Sequence, residues 1–238
     1  MKLRRSETCI AHRIAGWAMP ACAVLFLILF QAGCQLIGLP AVLGTPTSSE
    51  AKNAAEFNLA KQEGQKILVL VEQPAYLNAY PGLRFFLTDM IIKTLQQRAK
   101  IAPELFTDYD TLSSFRSDTP DFSLLAPEQV GSALGADLVL LVVVADYRFS
   151  EVDDTGFSNG MLDVQASLIK VATGEKLWPA VEQAKLVQVG FESQRHSPDT
   201  AAVQLAAAAA HCVTRYLYDC PKNQFKISEE KTDVGWER

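Results

Sequence analysis

The sequence predicts an α+β (open α/β) fold, a mixed sheet with helices packed on one face, in the order β-α-β-α-β-β-β-α. Three observations carry that expectation. Two unbroken apolar runs, Ile67–Val71 and Leu138–Ala145, mark strands with apolar surroundings on both sides. Between them, Leu83, Leu87, Met90, Ile91 and Leu95 recur at the 3.6-residue period of an amphipathic helix. Farther on, Leu162, Val164, Ala166 and Leu168 alternate with Asp163, Gln165 and Ser167, the period of a strand with one wet face.

Gln35–Glu50 holds two prolines, two glycines and a Thr-Pro-Thr-Ser-Ser cluster, which is linker chemistry. Ser49 is expected to cap a short helix running through Lys61, with Gly64 ending it. The first strand opens at Lys66, and the amphipathic helix spans Leu83–Arg98 after a loop from Pro74 to Pro81. Glu104–Tyr109 is expected as a second strand. Pro127–Leu134 reads as a short helix closed by Gly135, and Asp137–Ala145 as the central strand. Val171–Lys176 forms a tight turn into Leu177-Trp178, and Lys185–Phe191 is a further strand. Ser197-Pro198 starts the last helix, a side-chain cap followed by proline at its first position. Its apolar stripe is Leu205, Ala209, Cys212, Val213, Tyr216 and Leu217. Domain organisation follows: a signal over 1–33, a tether and short helix over 34–64, an α/β domain over 65–219 and a polar tail over 220–238.

The first 33 residues bear on location. Lys2, Arg4, Arg5 and Arg13 face one acid, Glu7, before an apolar segment over Ile14–Phe30. A basic start, an apolar middle and small residues before a break make a secretory signal. A membrane-spanning helix needs ~20 apolar residues, and Pro20 interrupts this one. The small residues Ala32 and Gly33 precede Cys34, whose thiol is a nucleophile open to alkylation. Cleavage between Gly33 and Cys34 with lipid on the sulfur is the favoured reading; an uncleaved anchor and ordinary secretion are the alternatives. Arg4-Arg5 lacks the hydrophobic positions of a twin-arginine signal in Ser6-Glu7-Thr8.

Without residues 1–33, 18 basic and 26 acidic residues remain, a net charge of −8. Such a chain does not suit nucleic acid, whose affinity comes from Lys and Arg on phosphates, nor adsorption on anionic lipid. Two cysteines remain beyond Cys34, namely Cys212 and Cys220. In one helix they would stand about 12 Å apart, too far for a disulfide. Pairing therefore needs the helix to stop before Cys220, and both states stay open.

Gly156-Phe157-Ser158-Asn159-Gly160 spells the G-x-S-x-G of a hydrolase nucleophile elbow, which requires a strand-to-helix turn. Here an acidic turn, Glu151 to Asp154, precedes it and an alternating strand follows. A hairpin is the expectation, and no catalytic residue is assigned. Glu151, Asp153 and Asp154 lack calcium-loop spacing, and His196, His211 and Cys212 lack zinc spacing. No phosphate loop or dinucleotide fingerprint is present. Neither metal nor cofactor is expected.

"GADLVLLVVV" at Gly135–Val144 and "VATGEKLW" at Val171–Trp178, with the Ile67–Val71 strand and the Leu83–Arg98 helix, resemble one group of bacterial envelope lipoproteins. The group includes the curli-secretion channel subunit, the lipoprotein activators of penicillin-binding proteins and the amino-terminal domain of the Tol-system protein TolB. Ala32, Gly33 and Cys34 likewise resemble a lipoprotein signal, with Gln31 where that pattern prefers Leu. The resemblance implies an anticodon-binding-domain-like fold and a non-enzymatic, lipid-anchored protein that binds or assembles with other envelope proteins. Gln35 in place of Asp favours the outer membrane. Three functions follow in order of support: a partner-binding envelope protein, a homo-oligomeric secretion pore built on the hairpin around 142–170, and a hydrolase using Ser158.

Overall fold

The computed structural model describes residues 51–77, 80, 82–152, 157–194 and 197–225. In chain order its strands are β1 (Lys52–Asn53), β2 (Ile67–Glu72), β3 (Leu138–Val152), β4 (Phe157–Lys170), β5 (Lys176–Trp178), β6 (Lys185–Gln194) and β7 (Cys220–Pro221). The helices are α1 (Gly82–Thr94), α2 (Tyr109–Asp118), α3 (Pro127–Ala133), α4 (Pro198–Thr214) and the single turn α5 (Lys222–Phe225).

The fold class is as expected, a mixed sheet with helices against it. β2 and β3 pair in parallel from Ile67↔Leu138 to Glu72↔Val143. β3 and β4 form a long antiparallel hairpin with a bulge between Val144 and Asp146. On the far side of β4 lie β5, near Leu168, and β6, from Ala166 out to Phe157. β3 is therefore an interior strand, as its unbroken apolar run requires.

Alternate residues of β2 enter different cores. Ile67, Val69 and Val71 join Leu83, Leu87 and Ile91 of α1 and Leu205, Ala209 and Val213 of α4. Leu68 and Leu70 join Leu112 of α2, Phe122, and Val130 of α3. Helices thus cover both faces of the lower sheet, whereas one covered face was expected. The five consecutive apolar residues of β2 demand this, because a strand covered on one side would leave Leu68 and Leu70 in water. Burying each such side chain contributes roughly 1.5–3 kcal/mol.

Residues 101–125 differ from expectation for a related reason. The strand expected at Glu104–Tyr109 is a 3-10 turn over Pro103–Leu105, one isolated bridge from Phe106 to Ile67, and the start of α2. Phe106 caps the open edge of β2 without extending it, and α2 covers the second face.

α4 begins as read. The Ser197 side chain accepts a hydrogen bond from the Thr200 amide at 3.2 Å, with Pro198 at the first helical position. Ala201, Ala202, Ala206, Ala208, Ala209 and Ala210 are all buried, because the helix is pressed against both α1 and strands β4 and β6. At the end of α3, Gly135 takes φ of 66°, the left-handed turn expected to close that helix.

The core reaches past the boundaries expected at 65 and 219. Residues 51–64 contain β1 and a 3-10 turn with Leu59 only 2% exposed, where a capped helix to Lys61 was expected. β1 pairs with β7 through Lys52↔Pro221 and Asn53↔Cys220. Phe225, expected in the tail, packs on Tyr216 with ring centroids 5.5 Å apart.

Gly160 marks the tightest crossing. A Cβ there would stand 2.5 Å from the ring of Phe191, its cross-strand partner, and 3.1 Å from Leu205 of α4. Gly160→Ala is expected to lower unfolding stability by about 1–3 kcal/mol in urea titration. Phe191→Leu in the same chain should return part of that loss; full stability in the single variant would contradict the packing.

Candidate functional site

The G-x-S-x-G segment is structural. Phe157 to Gly160 lie within β4, and the strand continues to Lys170 with no helix after it. Ser158 stands between Glu151 of β3 and Ser193 of β6 and has 0% exposure. A nucleophile must meet its substrate, and this hydroxyl is sealed within the body. Glycine at 160 answers to Phe191 rather than to an oxyanion.

His211 lies 14 residues into α4, about 20 Å along the helix from its start. Its Nε2 is 3.0 Å from the Gln224 carbonyl. Burial holds the imidazole below its ordinary pKa. Gly156, Asp153, Asp154 and His196 lie outside the described residues, as do Gly33 and Cys34. Among the described residues, no group of three or more His, Cys, Asp or Glu could hold a metal ion.

A second cluster joins the two ends of the folded unit. The amides of Glu56 and Phe57 donate to the Tyr216 carbonyl at 2.9 and 3.2 Å, and that of Leu59 to the Leu217 carbonyl at 3.0 Å. The Glu56 carboxylate accepts from Trp178 Nε1 at 2.7 Å and from Lys185 Nζ at 2.9 Å. That ammonium also sits 3.9 Å from the centre of the Tyr216 ring. The Arg215 guanidinium donates to the Phe225 carbonyl at 2.6 Å and lies 4.7 Å from its ring centre. Cys212 and Cys220 are both buried thiols here, and burial pushes the Cys220 thiol above its ordinary pKa. These contacts fix where the preceding chain enters the domain. Sequence spacing could not show them, since Glu56 and Trp178 are 122 residues apart.

The third arrangement is the outer half of the β3–β4–β6 unit. β2 stops at Glu72, held by the Arg116 guanidinium, which donates to the Glu72 carboxylate at 2.9 Å and the Val71 carbonyl at 3.2 Å. β3 continues for nine residues with no strand on that side among the described residues. Tyr76, 67% exposed, reaches this edge, its hydroxyl donating to the Ala145 carbonyl at 2.7 Å. β6 bounds the other side.

One face of this outer unit lies under α4; there Tyr147 stacks edge-on to Tyr80 at 4.5 Å, and burial pushes its phenol pKa up to about 12. The opposite face carries exposed Arg148, Gln165 and Glu192 and partly exposed Asp163, beside exposed Phe157 and Leu186. Arg148 donates to Asp146 two residues away at 2.7 Å. A two-edged, half-polar sheet suits binding of another chain through backbone hydrogen bonds.

A shallow cleft of about 310 Å³ lies at the start of β2 and β3, lined by Gln65, Ser132, Asp137 and Lys170 among others. Its acid, Asp137, accepts from the Lys66 amide at 2.8 Å and serves the fold.

Two outcomes are expected of the end-to-end cluster. Glu56→Ala removes a charged acceptor from a buried indole, a loss of roughly 1–3 kcal/mol, and should speed hydrogen exchange at the Phe57 and Leu59 amides first. Stability should also depend on His211. Its folded pKa lies below the ordinary 6.5, so below that pH the unfolded chain binds more protons. Stability is complete above about 6.5 and is lost as pH falls toward the folded value. His211→Gln should flatten that part of a Tm-against-pH profile.

Neither a protein-family model nor a curated protein matches the chain. Among solved structures, it is similar to the lipoprotein GNA1162 from Neisseria meningitidis, at 20% identity over 60% of this chain and 94% of that one, with a TM-score of 0.38. It is similar to the PelC dodecamer from Paraburkholderia phytofirmans at 14% identity, covering 71% and 97%, with a TM-score of 0.39. It is also similar to the LpoB C-terminal domain from Salmonella enterica at 19% identity, covering 53% and 82%, with a TM-score of 0.33.

Proposed function

We propose that this chain is a non-enzymatic, lipid-anchored protein of the bacterial envelope that works by binding other proteins. The observation that carries the binding half is the outer β3–β4–β6 unit, which among the described residues has no strand on either outer edge and carries exposed polar residues on the face away from α4. Proteins that do not use such edges usually shorten, twist or cover them. The anchoring half rests on Ala32-Gly33-Cys34 after the apolar segment. One acyl chain holds a protein only marginally, whereas two or more, at about 0.8 kcal/mol per buried methylene, hold it stably. Gln35 after the lipidated cysteine favours the outer membrane, with the domain facing the periplasm.

The hairpin is also the feature a secretion pore would use, and β3 and β4, at 15 and 14 residues, exceed the ~9–11 that a membrane strand needs. Their chemistry supports binding better. A lipid-facing strand requires an apolar outer face. Here the apolar face is already filled by α4, and the other carries Arg148, Asp163 and Gln165.

Mass spectrometry of the purified protein should find an amino terminus at Cys34 bearing acyl chains. Cys34→Ser should move the protein from the membrane to the soluble fraction with its thermal unfolding unchanged. Retention of that variant in the membrane would overturn the anchoring. Crosslinking in intact envelopes should capture a protein on the outer unit; recovery of uncrosslinked chain alone, at sites throughout β3 and β6, would overturn the binding.

A further inference from the structure

The two open edges of the outer unit fit one another. β3 from Val144 to Val152 and β6 from Lys185 to Gln194 each have β4 on one side and no strand on the other among the described residues. Both run antiparallel to β4 and hence parallel to each other. Within one molecule β4 separates them, so they cannot meet.

We propose that they meet between molecules: the β6 edge of one copy adds in parallel to the β3 edge of the next and continues the sheet. This deepens the proposed function by naming a second copy of this chain as the partner on that surface. Length supports the pairing. β2 ends opposite Val143, which leaves a seat of nine residues on β3, and β6 is ten residues long. Charge supports it as well. Arg148, Met161 and Gly190 stand at one level of the sheet, and Ser150, Asn159 and Glu192 at the next on the same helix-free face. In the level register, the Arg148 side chain of one copy lies across Gly190, where no side chain blocks it, and reaches Glu192 of the other. Its own partner, Asp146, forms a surface pair of the kind that contributes little and is readily exchanged. Because the two edges differ, the contact is head-to-tail, and a ring or a filament follows from its repetition. Tyr76, whose hydroxyl occupies the Ala145 carbonyl, must swing aside to admit the strand.

The test uses the mature chain extracted in detergent, with mass measured by light scattering across a concentration series. The wild type should exceed monomer mass. Arg148→Glu and Glu192→Arg each place like charges together and should weaken assembly about tenfold or more. Mixing the two variants should restore it, because each then offers the charge that the other lacks. Arg148→Cys mixed with Glu192→Cys should give a disulfide-linked pair of one chain of each, and Tyr76→Phe should strengthen assembly. A monomer at every concentration, no recovery on mixing, or preferential 148–148 or 192–192 crosslinks would overturn the proposal. A monomer that still crosslinks to a different envelope protein on the outer unit would remove this inference and leave the proposed function standing.

Discussion

The unequal lengths of β2 and β3 govern the rest of the structure. β2 provides six residues and ends at Glu72, where Arg116 holds both the carboxylate and the preceding carbonyl. β3 runs on for nine more. Up to that point the sheet is paired on both sides of β3 and covered on both faces, so it forms an ordinary closed core. Beyond it, among the described residues, β3 has one strand neighbour and helices on one face. There Tyr147 is buried on the α4 side, and Arg148 and Ser150 are exposed. Packing is concentrated in the first half, and the second half keeps the more exposed surface.

That division explains the placement of the polar residues. Asp163 and Gln165 in the middle of β4 would be costly in the doubly covered part, where an unpaired buried polar group loses several kcal/mol. Gln165 is exposed and Asp163 half-buried, both on the face of β4 turned away from α4. Ser158 is the opposite case, a small polar residue on the covered face. It lies on the α4 side of β4, two residues from Gly160, and is fully buried between Glu151 and Ser193 in the register.

Much of this was legible in the sequence because hydrophobic period reports directly on burial. The unbroken runs in β2 and β3, the helical stripe from Leu83 to Leu95 and the alternation in β4 each marked the right element. The five consecutive apolar residues of β2 also carried the signal for a second helical layer, although the short, polar segments over 101–125 hid the elements that form it. α2 has one buried residue, Leu112, and is otherwise polar, so little in its composition marks it as a core-facing helix. The segment from 51 to 64 and the turn after Cys220 were misjudged for a different reason. They are polar and short, and they are ordered by partners remote in sequence, such as Glu56 with Trp178 and Asn53 with Cys220. No local pattern encodes a contact of that kind. The open edges were invisible at that level, since an edge is defined by a strand that ends early elsewhere.

Polarity along the domain links the anchor to the exposed edges. Glu56 and Leu59 fasten the entering chain beside Trp178, which pairs with Leu168 low on β4, and the hairpin then rises from that level to Val152. Twelve residues of β3 separate Leu140, opposite Leu168, from Val152, about 40 Å at ~3.4 Å per residue. Under the proposed anchoring, the sixteen residues Gln35–Glu50 add a reach of at most about 55 Å when fully extended. Copies held on one membrane are confined in two dimensions, which raises their effective concentration for one another. Under the proposed anchoring and assembly, edge-to-edge pairing that would be marginal in dilute solution is favoured on the membrane.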